Sequence, residues 1–191
     1  KRVVANVNPK LLFERLVAAE HQPDDFRARI AAYKCGSGTF RMNVALAALP
    51  DFPALSGEGP HLSSGIVMAP SLAYMEQAYF DAKSSGWSRA PIVEILIPSR
   101  VDDSLAPQGM HVASLFCQHV HPDLGAVQPG RTWDDARDEV ADLMIDTVAR
   151  FAPNFRNLVV GRRALSPLDL EREFGLVGGD IFHGALSLDQ L

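Results

Sequence analysis

The stretch Phe40–Leu46, FRMNVAL, alternates between large apolar residues and smaller or polar ones. Its even-numbered residues are all apolar, whereas Arg41, Asn43 and Ala45 occupy the odd positions. Because successive side chains of a strand point to opposite faces of the sheet, this pattern predicts a strand with one buried face. Arg41 and Asn43 then face either a substrate cavity or water, and the sequence does not decide between the two.

A longer stretch, Met110–Val120, alternates in the same way and predicts a second strand. Val112, Ser114, Phe116, Gln118 and Val120 share one face, and His111, Ala113, Leu115, Cys117 and His119 share the other. Shorter apolar stretches predict strands over 3–7, 65–69, 92–97 and 157–164. The stretch 92–97 is apolar except at Glu94, which is typical of a central strand covered on both faces.

Helices are predicted between these strands by apolar residues at helical spacing and by capping residues. They begin near Pro9, after Pro23, at Ser71, at Thr132 and at Ser166. Strands and helices do not alternate in a regular βαβ order, so the predicted fold class is α+β, with a mixed β-sheet covered by helices. A length of 191 residues favours a single domain over residues 1–191.

Composition excludes several classes of protein. Apolar residues make up 47% and charged residues 21%, as in ordinary globular proteins. The net charge of -5 makes nucleic acid a poor candidate partner, because a phosphate-binding surface needs a basic excess. Two cysteines are too few for a disulfide framework. No apolar run reaches the roughly 20 residues of a membrane helix, so we expect no transmembrane segment.

Common catalytic and nucleotide-binding motifs are absent. Gly36-Ser37-Gly38 lacks the third glycine of GxGxxG and precedes a strand rather than a helix. The chain contains neither a Walker A loop nor a GxSxG nucleophile elbow. The sequence therefore shows no nucleotide site of its own.

One cluster could bind a metal ion. Cys117, His119 and His121 recur at strand spacing, Asp123 follows closely, and thiolate and imidazole groups are zinc ligands. Pro122 ends the strand and no closing ligand has an obvious position, so we interpret the cluster as structural and expect no metal. The many carboxylates between residues 134 and 146 lie largely opposite the apolar stripe of their helix, which predicts a solvated face.

The segment Gly178–Gly184, GGDIFHG, has the most unusual local composition. Gly178 and Gly179 permit positive φ angles and close approach to another group. Asp180 and His183 place titratable groups beside them, and Phe182 can pack against a flat ligand. Considered alone, the segment is better explained as a tight turn than as a site.

Several stretches together resemble one family. They are FRMNVALAALPDFP, PIVEILIPSRVDDSLAPQGMHVASLFCQH, APNF and SPLDLEREFGLVGGDIFHGALSLDQL. In this order, over nearly the whole chain, they resemble the phytoene-desaturase-like FAD-dependent oxidoreductases. The resemblance implies the substrate-binding domain of a two-domain enzyme, situated between the two halves of the FAD-binding domain. Residues 1–8 would be a strand leading in from that domain, and we interpret the chain as an internal fragment.

The resemblance also implies a cofactor, partners and a chemistry. FAD would be bound by the full-length parent, which would transfer hydride from an apolar or amine-type substrate to flavin, and we expect none bound to this fragment. The partners would be a small, apolar substrate and the FAD domain of the same chain. Candidate substrate- or flavin-facing residues are Gly178, Gly179, Asp180, Phe182, His183, Arg41 and Asn43. The expected location is cytoplasmic, with a membrane-peripheral one as the alternative.

Two other hypotheses stay open. The chain could be a non-catalytic binding or interaction module that has the fold without flavin, since it lacks nucleotide motifs. It could also be a zinc enzyme that uses Cys117, His119 and His121.

Overall fold

The computed structural model describes residues 2–190, and residues 1 and 191 of the predicted domain lie outside them. Five strands form one sheet in the order β2-β3-β4-β1-β5. Their bounds are Phe40–Leu46 (β1), Ile66–Met68 (β2), Trp87–Leu96 (β3), His111–Val120 (β4) and Val159–Leu165 (β5). The strands predicted around residues 40, 66, 92, 111 and 159 are therefore confirmed.

The sheet is antiparallel at all four of its described strand pairings, so the prediction of a mixed sheet is wrong in this respect. The prediction treated residues 92–97 as a strand buried on both faces, which is typical of parallel sheets. In the structure β3 begins earlier, at Trp87, and its register with β4 shifts between Trp87 and Ile92. The C-terminal end of β3 is accessible to solvent, since Leu96 is 43% exposed.

Helices accompany the sheet, and the α+β class is confirmed. They are Pro9–Leu11 (α1), which continues as a π-helical turn over Leu12–Leu16, Asp24–Ala32 (α2), Leu72–Ser85 (α3), Trp133–Ala149 (α4), Phe155–Leu158 (α5) and Pro167–Phe174 (α6). The Ser71 hydroxyl accepts a hydrogen bond from the Tyr74 amide, 3.1 Å away, and so caps the N-terminus of α3. Capping boxes at Thr132 and Ser166 begin α4 and α6.

The core lies between α4 and one face of the sheet. The even-numbered side chains of β1, from Phe40 to Leu46, are buried there, as the alternation predicts. Trp133, Val140 and Met144 of α4 belong to the same cluster. Burying such side chains contributes roughly 1.5–3 kcal/mol each, which makes this layer the main source of stability.

The outer side of α4 is a charged, solvated surface, as predicted. Asp142 and Asp146 pair with Arg162 and Arg156, at 2.5 Å in each case, and link α4 to β5 and α5. Exposed ion pairs contribute at most about 1 kcal/mol each, so they orient neighbouring elements more than they stabilise the fold.

Residues 2–8 form no strand within the described part of the chain, and Val3 and Val4 are 92% and 95% exposed. Pairing of this stretch with a strand of another domain stays a prediction. Among residues 2–190, no helix combines the length and the apolar character needed to cross a membrane.

Candidate functional site

The segment Gly178–Gly184, called the C-terminal turn below, is tied to the loop before β1 by Asp180. Asp180 is completely buried. Its Oδ2 accepts a hydrogen bond from the Gly36 amide (2.9 Å). Its Oδ1 accepts hydrogen bonds from the Ser37 hydroxyl (2.8 Å) and the Phe182 amide (2.9 Å). Since both carboxylate oxygens are used inside the chain, Asp180 has a structural role that the sequence alone did not indicate.

The two adjacent glycines of the C-terminal turn are required by geometry. Gly178 and Gly179 have φ angles of +64° and +66°. A Cβ on Gly179 would lie 2.2 Å from the carbonyl oxygen of Pro167, the first residue of α6. The space beside Gly179 is thus filled by the backbone of α6, and only glycine fits there.

Phe182 and His183 differ from Asp180 because they face outward. Phe182 is 60% exposed and lines a cleft of about 870 Å³, whose other walls include Tyr79 and His119. His183 is also exposed, and it has a positive φ of 61° although it is not glycine. The Tyr33 hydroxyl donates to the His183 carbonyl at 3.1 Å. The imidazole makes no hydrogen bond within the described residues and is free to contact another surface.

Arg41 lies on the sheet face opposite the core, as its position in the alternation predicts. Its Nη2 donates to the Ser114 hydroxyl at 2.8 Å, and its guanidinium carbon lies 5.1 Å from the centre of the Phe116 ring. Both neighbours come from β4, the adjacent strand. They immobilise the guanidinium by a hydrogen bond and a cation–π contact.

Two rows of side chains run across the sheet on this side, and together they are called the open face. The register aligns Leu165, Arg41, Phe116, Glu94 and Val67 in one row, and Arg163, Asn43, Ser114 and Leu96 in the next. Directly opposed residues of antiparallel strands share a face. None of the nine is buried. The open face combines aromatic, aliphatic and charged groups, which suits a binding surface.

The predicted site residues thus form two groups. Arg41 and Asn43 belong to the open face, whereas Asp180 joins the C-terminal turn to the loop before β1. The two groups share no hydrogen bond or ion pair among the described residues. Ser114 and Phe116 were on the expected face of their strand, but the register that joins them to Arg41 is not visible in the sequence.

The proposed zinc cluster does not assemble. Cys117 is fully buried in the core, and burial raises the pKa of its thiol. His119 packs edge-on against the Tyr79 ring at 5.3 Å. Burial, and then the nearby charge of Lys83, lowers the pKa of His119, so the ring is neutral at pH 7. No group of three potential ligands that could hold a metal ion occurs in the described part of the chain.

The glycines near these residues do not fit the diphosphate of FAD. A Cβ on Gly38 would lie 1.3 Å from the Val120 carbonyl oxygen, so the strand backbone occupies that space. A Cβ on Gly178 would make only an ordinary contact with Gly36, at 3.5 Å, but the Gly178 amide already donates to Glu171 Oε1 at 3.3 Å. A diphosphate cradle needs free backbone amides at a helix N-terminus. Gly38 serves internal packing and Gly178 serves a turn, so this chain supplies no such cradle there.

The fold and the open face define an α+β domain with one face of its sheet available for binding. No protein-family model matches the chain. In an alignment of 196 positions that covers 99% of its length, it is 39% identical to pyridine nucleotide-disulfide oxidoreductase domain-containing protein 2 of Rattus norvegicus. The identity to the Mus musculus protein of that name is 37% over the same length. The chain spans about a third of the length of both relatives, 33% in each case.

Proposed function

We propose that this chain is the substrate-binding portion of an FAD-dependent oxidoreductase of the phytoene-dehydrogenase-like kind. The full-length protein would transfer hydride from an apolar or amine-type substrate to flavin. The observation that carries the proposal is the open face, whose nine side chains stay accessible while the opposite face of the same sheet is buried under α4. The names of the two relatives support the oxidoreductase assignment.

Within this proposal the open face is one wall of a pocket that the FAD-binding domain closes. The flavin supplies the redox chemistry when bound by that other domain. Phe116, Leu96 and Leu165 exclude water from the substrate, and Arg41 and Asn43 orient it. The relatives are about three times as long as this chain, which leaves room for a dinucleotide-binding domain.

The C-terminal turn has a separate role in this proposal. Asp180 holds the turn against the loop before β1, and the turn then presents Phe182 and His183 outward. We propose that these two side chains contact the FAD domain. We also propose that the isolated chain is inactive, because the flavin-binding residues lie elsewhere.

Cysteine labelling tests whether the open face is covered in the longer protein. Asn43→Cys places a thiol on the open face, and Asp138→Cys places a control thiol on the outer side of α4. Cys35 is replaced by Ser in both variants, because it is only partly buried. We expect the maleimide reaction at position 43 to be severalfold slower in the full-length protein than in this chain, with no change at position 138. Equal rates at position 43 would refute the proposed orientation.

The alternative is a non-catalytic binding or interaction module with the same fold. The absence of a diphosphate cradle at Gly38 and Gly178 is the observation that favours it. This alternative requires a full-length protein that contains no flavin, whereas the oxidoreductase proposal requires one that does.

A further inference from the structure

Arg41 differs from the other arginines that the structure describes. Nine of them have a carboxylate within 4.0 Å: Arg27, Arg29, Arg100, Arg131, Arg137, Arg156, Arg162, Arg163 and Arg172. The others without such a partner are Arg2, Arg15, Arg89 and Arg150, which are all exposed to water. Within residues 2–190, Arg41 alone is both half-buried and without a carboxylate.

A partly desolvated charge without a counterion is unfavourable unless something else binds it. The Ser114 hydroxyl takes one of the five guanidinium N–H donors, and the Phe116 ring covers part of the cation. The remaining donors have no protein acceptor among the described residues. The planar guanidinium presents its N–H donors in a geometry that matches the two oxygens of a carboxylate, with which arginine forms paired hydrogen bonds.

We propose that Arg41 binds the carboxylate of an organic acid whose apolar part lies along the open face over Phe116. The inference rests on the proposed function and specifies its substrate class as a molecule with one carboxylate and an apolar body. Ser114 positions the guanidinium of Arg41. Asn43 lies two residues after Arg41 in β1 and extends the polar end of the site.

Glu94 sets the direction in which such a molecule lies. It occupies the same row as Arg41 but two strands away, about 10 Å by ordinary strand spacing, with Phe116 between them. Glu94 has no cationic partner within 4.0 Å in the described chain. Its negative charge disfavours a carboxylate at that end of the row and favours a neutral or amino group there. The carboxylate therefore lies at the Arg41 end.

Octanoate is a suitable probe, because it joins one carboxylate to an apolar chain, and octanol is its neutral control. The probes are titrated into the 191-residue chain while backbone amide resonances are followed by NMR. We expect octanoate to shift the amides of Asn43 and Phe116, and octanol to have little effect. Arg41→Gln should weaken octanoate binding by about tenfold or more, the loss expected for a charged hydrogen-bonded pair.

Two further variants separate charge from folding. Arg41→Lys keeps the charge without the planar fork and should retain part of the affinity. Arg89→Gln removes an exposed, unpaired arginine and should change nothing. The proposal is overturned if Arg41→Gln binds octanoate as well as the unaltered chain does, or if the shifts lie outside the open face. It is also overturned if no shift occurs.

The full-length protein distinguishes a substrate from a carboxylate of the protein itself. If octanoate binds this chain but not the full-length protein, another domain fills the site, and the substrate assignment is wrong. The result is separable from the proposed function, because flavin content is measured independently. A protein without flavin that still binds octanoate through Arg41 would refute the oxidoreductase proposal and leave the anion site intact.

Discussion

Asp180→Ala should destabilise the chain substantially. The substitution removes a fully buried carboxylate that accepts from the Gly36 amide, the Ser37 hydroxyl and the Phe182 amide at 2.8–2.9 Å. Hydrogen bonds to a charged group contribute about 1.5–3 kcal/mol each, and neighbouring ones are not additive. We therefore expect the free energy of unfolding to fall by about 3 kcal/mol, because two partly buried amides and one hydroxyl lose their acceptor.

Urea unfolding followed by tryptophan fluorescence measures this loss, and hydrogen exchange at the Gly36 amide locates it. The matched control is Asp189→Ala, which removes an exposed carboxylate paired with Lys34 at 2.6 Å from the same part of the chain. We expect the control to have a much smaller effect. The reasoning fails if Asp180→Ala has the same unfolding midpoint and the same Gly36 exchange rate as the unaltered chain.

Substitutions at three other positions have defined outcomes. Gly179→Ala should lower the free energy of unfolding in urea by at least about 2 kcal/mol more than Gly57→Ala does. Both glycines have positive φ, but only at position 179 would the new Cβ lie 2.2 Å from backbone. Equal losses of stability would refute the packing argument. Although burial alone would raise it, the Arg137 guanidinium holds the pKa of Asp169 below its ordinary value. The Asp169–Arg137 pair therefore contributes its full stability above about pH 4, and this contribution is lost as the pH falls through the lower pKa of Asp169 in the folded state. Asp169→Asn should abolish that part of the acid sensitivity. A variant with unchanged acid unfolding would contradict this assignment. His183→Gly should unfold no more easily than the unaltered chain, because φ is +61° at this position. In the full-length protein, His183→Ala should reduce the proposed turnover more than it reduces stability. Equal losses of both would indicate a structural role.

The local structure was largely predictable because it depends on local patterns. The alternation in FRMNVAL identified β1 and its buried face, and Ser166 identified the start of α6. The start of β3 was missed because Trp87–Pro91 does not alternate regularly, and its register with β4 shifts there.

The candidate site was less predictable because it depends on pairings distant in sequence. Arg41 reaches Ser114 across 73 positions, and Asp180 reaches Gly36 across 144. Neither pairing has a local signal. The sequence singled out Gly178 and Gly179 for their flexibility. The structure uses both for a turn with positive φ and Gly179 also for close packing, which composition cannot distinguish from ligand binding.

Flavin content tests the central claim most directly. The full-length protein is purified, its absorbance spectrum is recorded, and FAD is titrated into the 191-residue chain as the comparison. The account predicts about one flavin per full-length molecule and no tight binding of FAD to this chain, because backbone fills the space beside Gly38 and the Gly178 amide donates to Glu171 inside the chain. A colourless full-length protein, or submicromolar FAD binding by this chain alone, would contradict it.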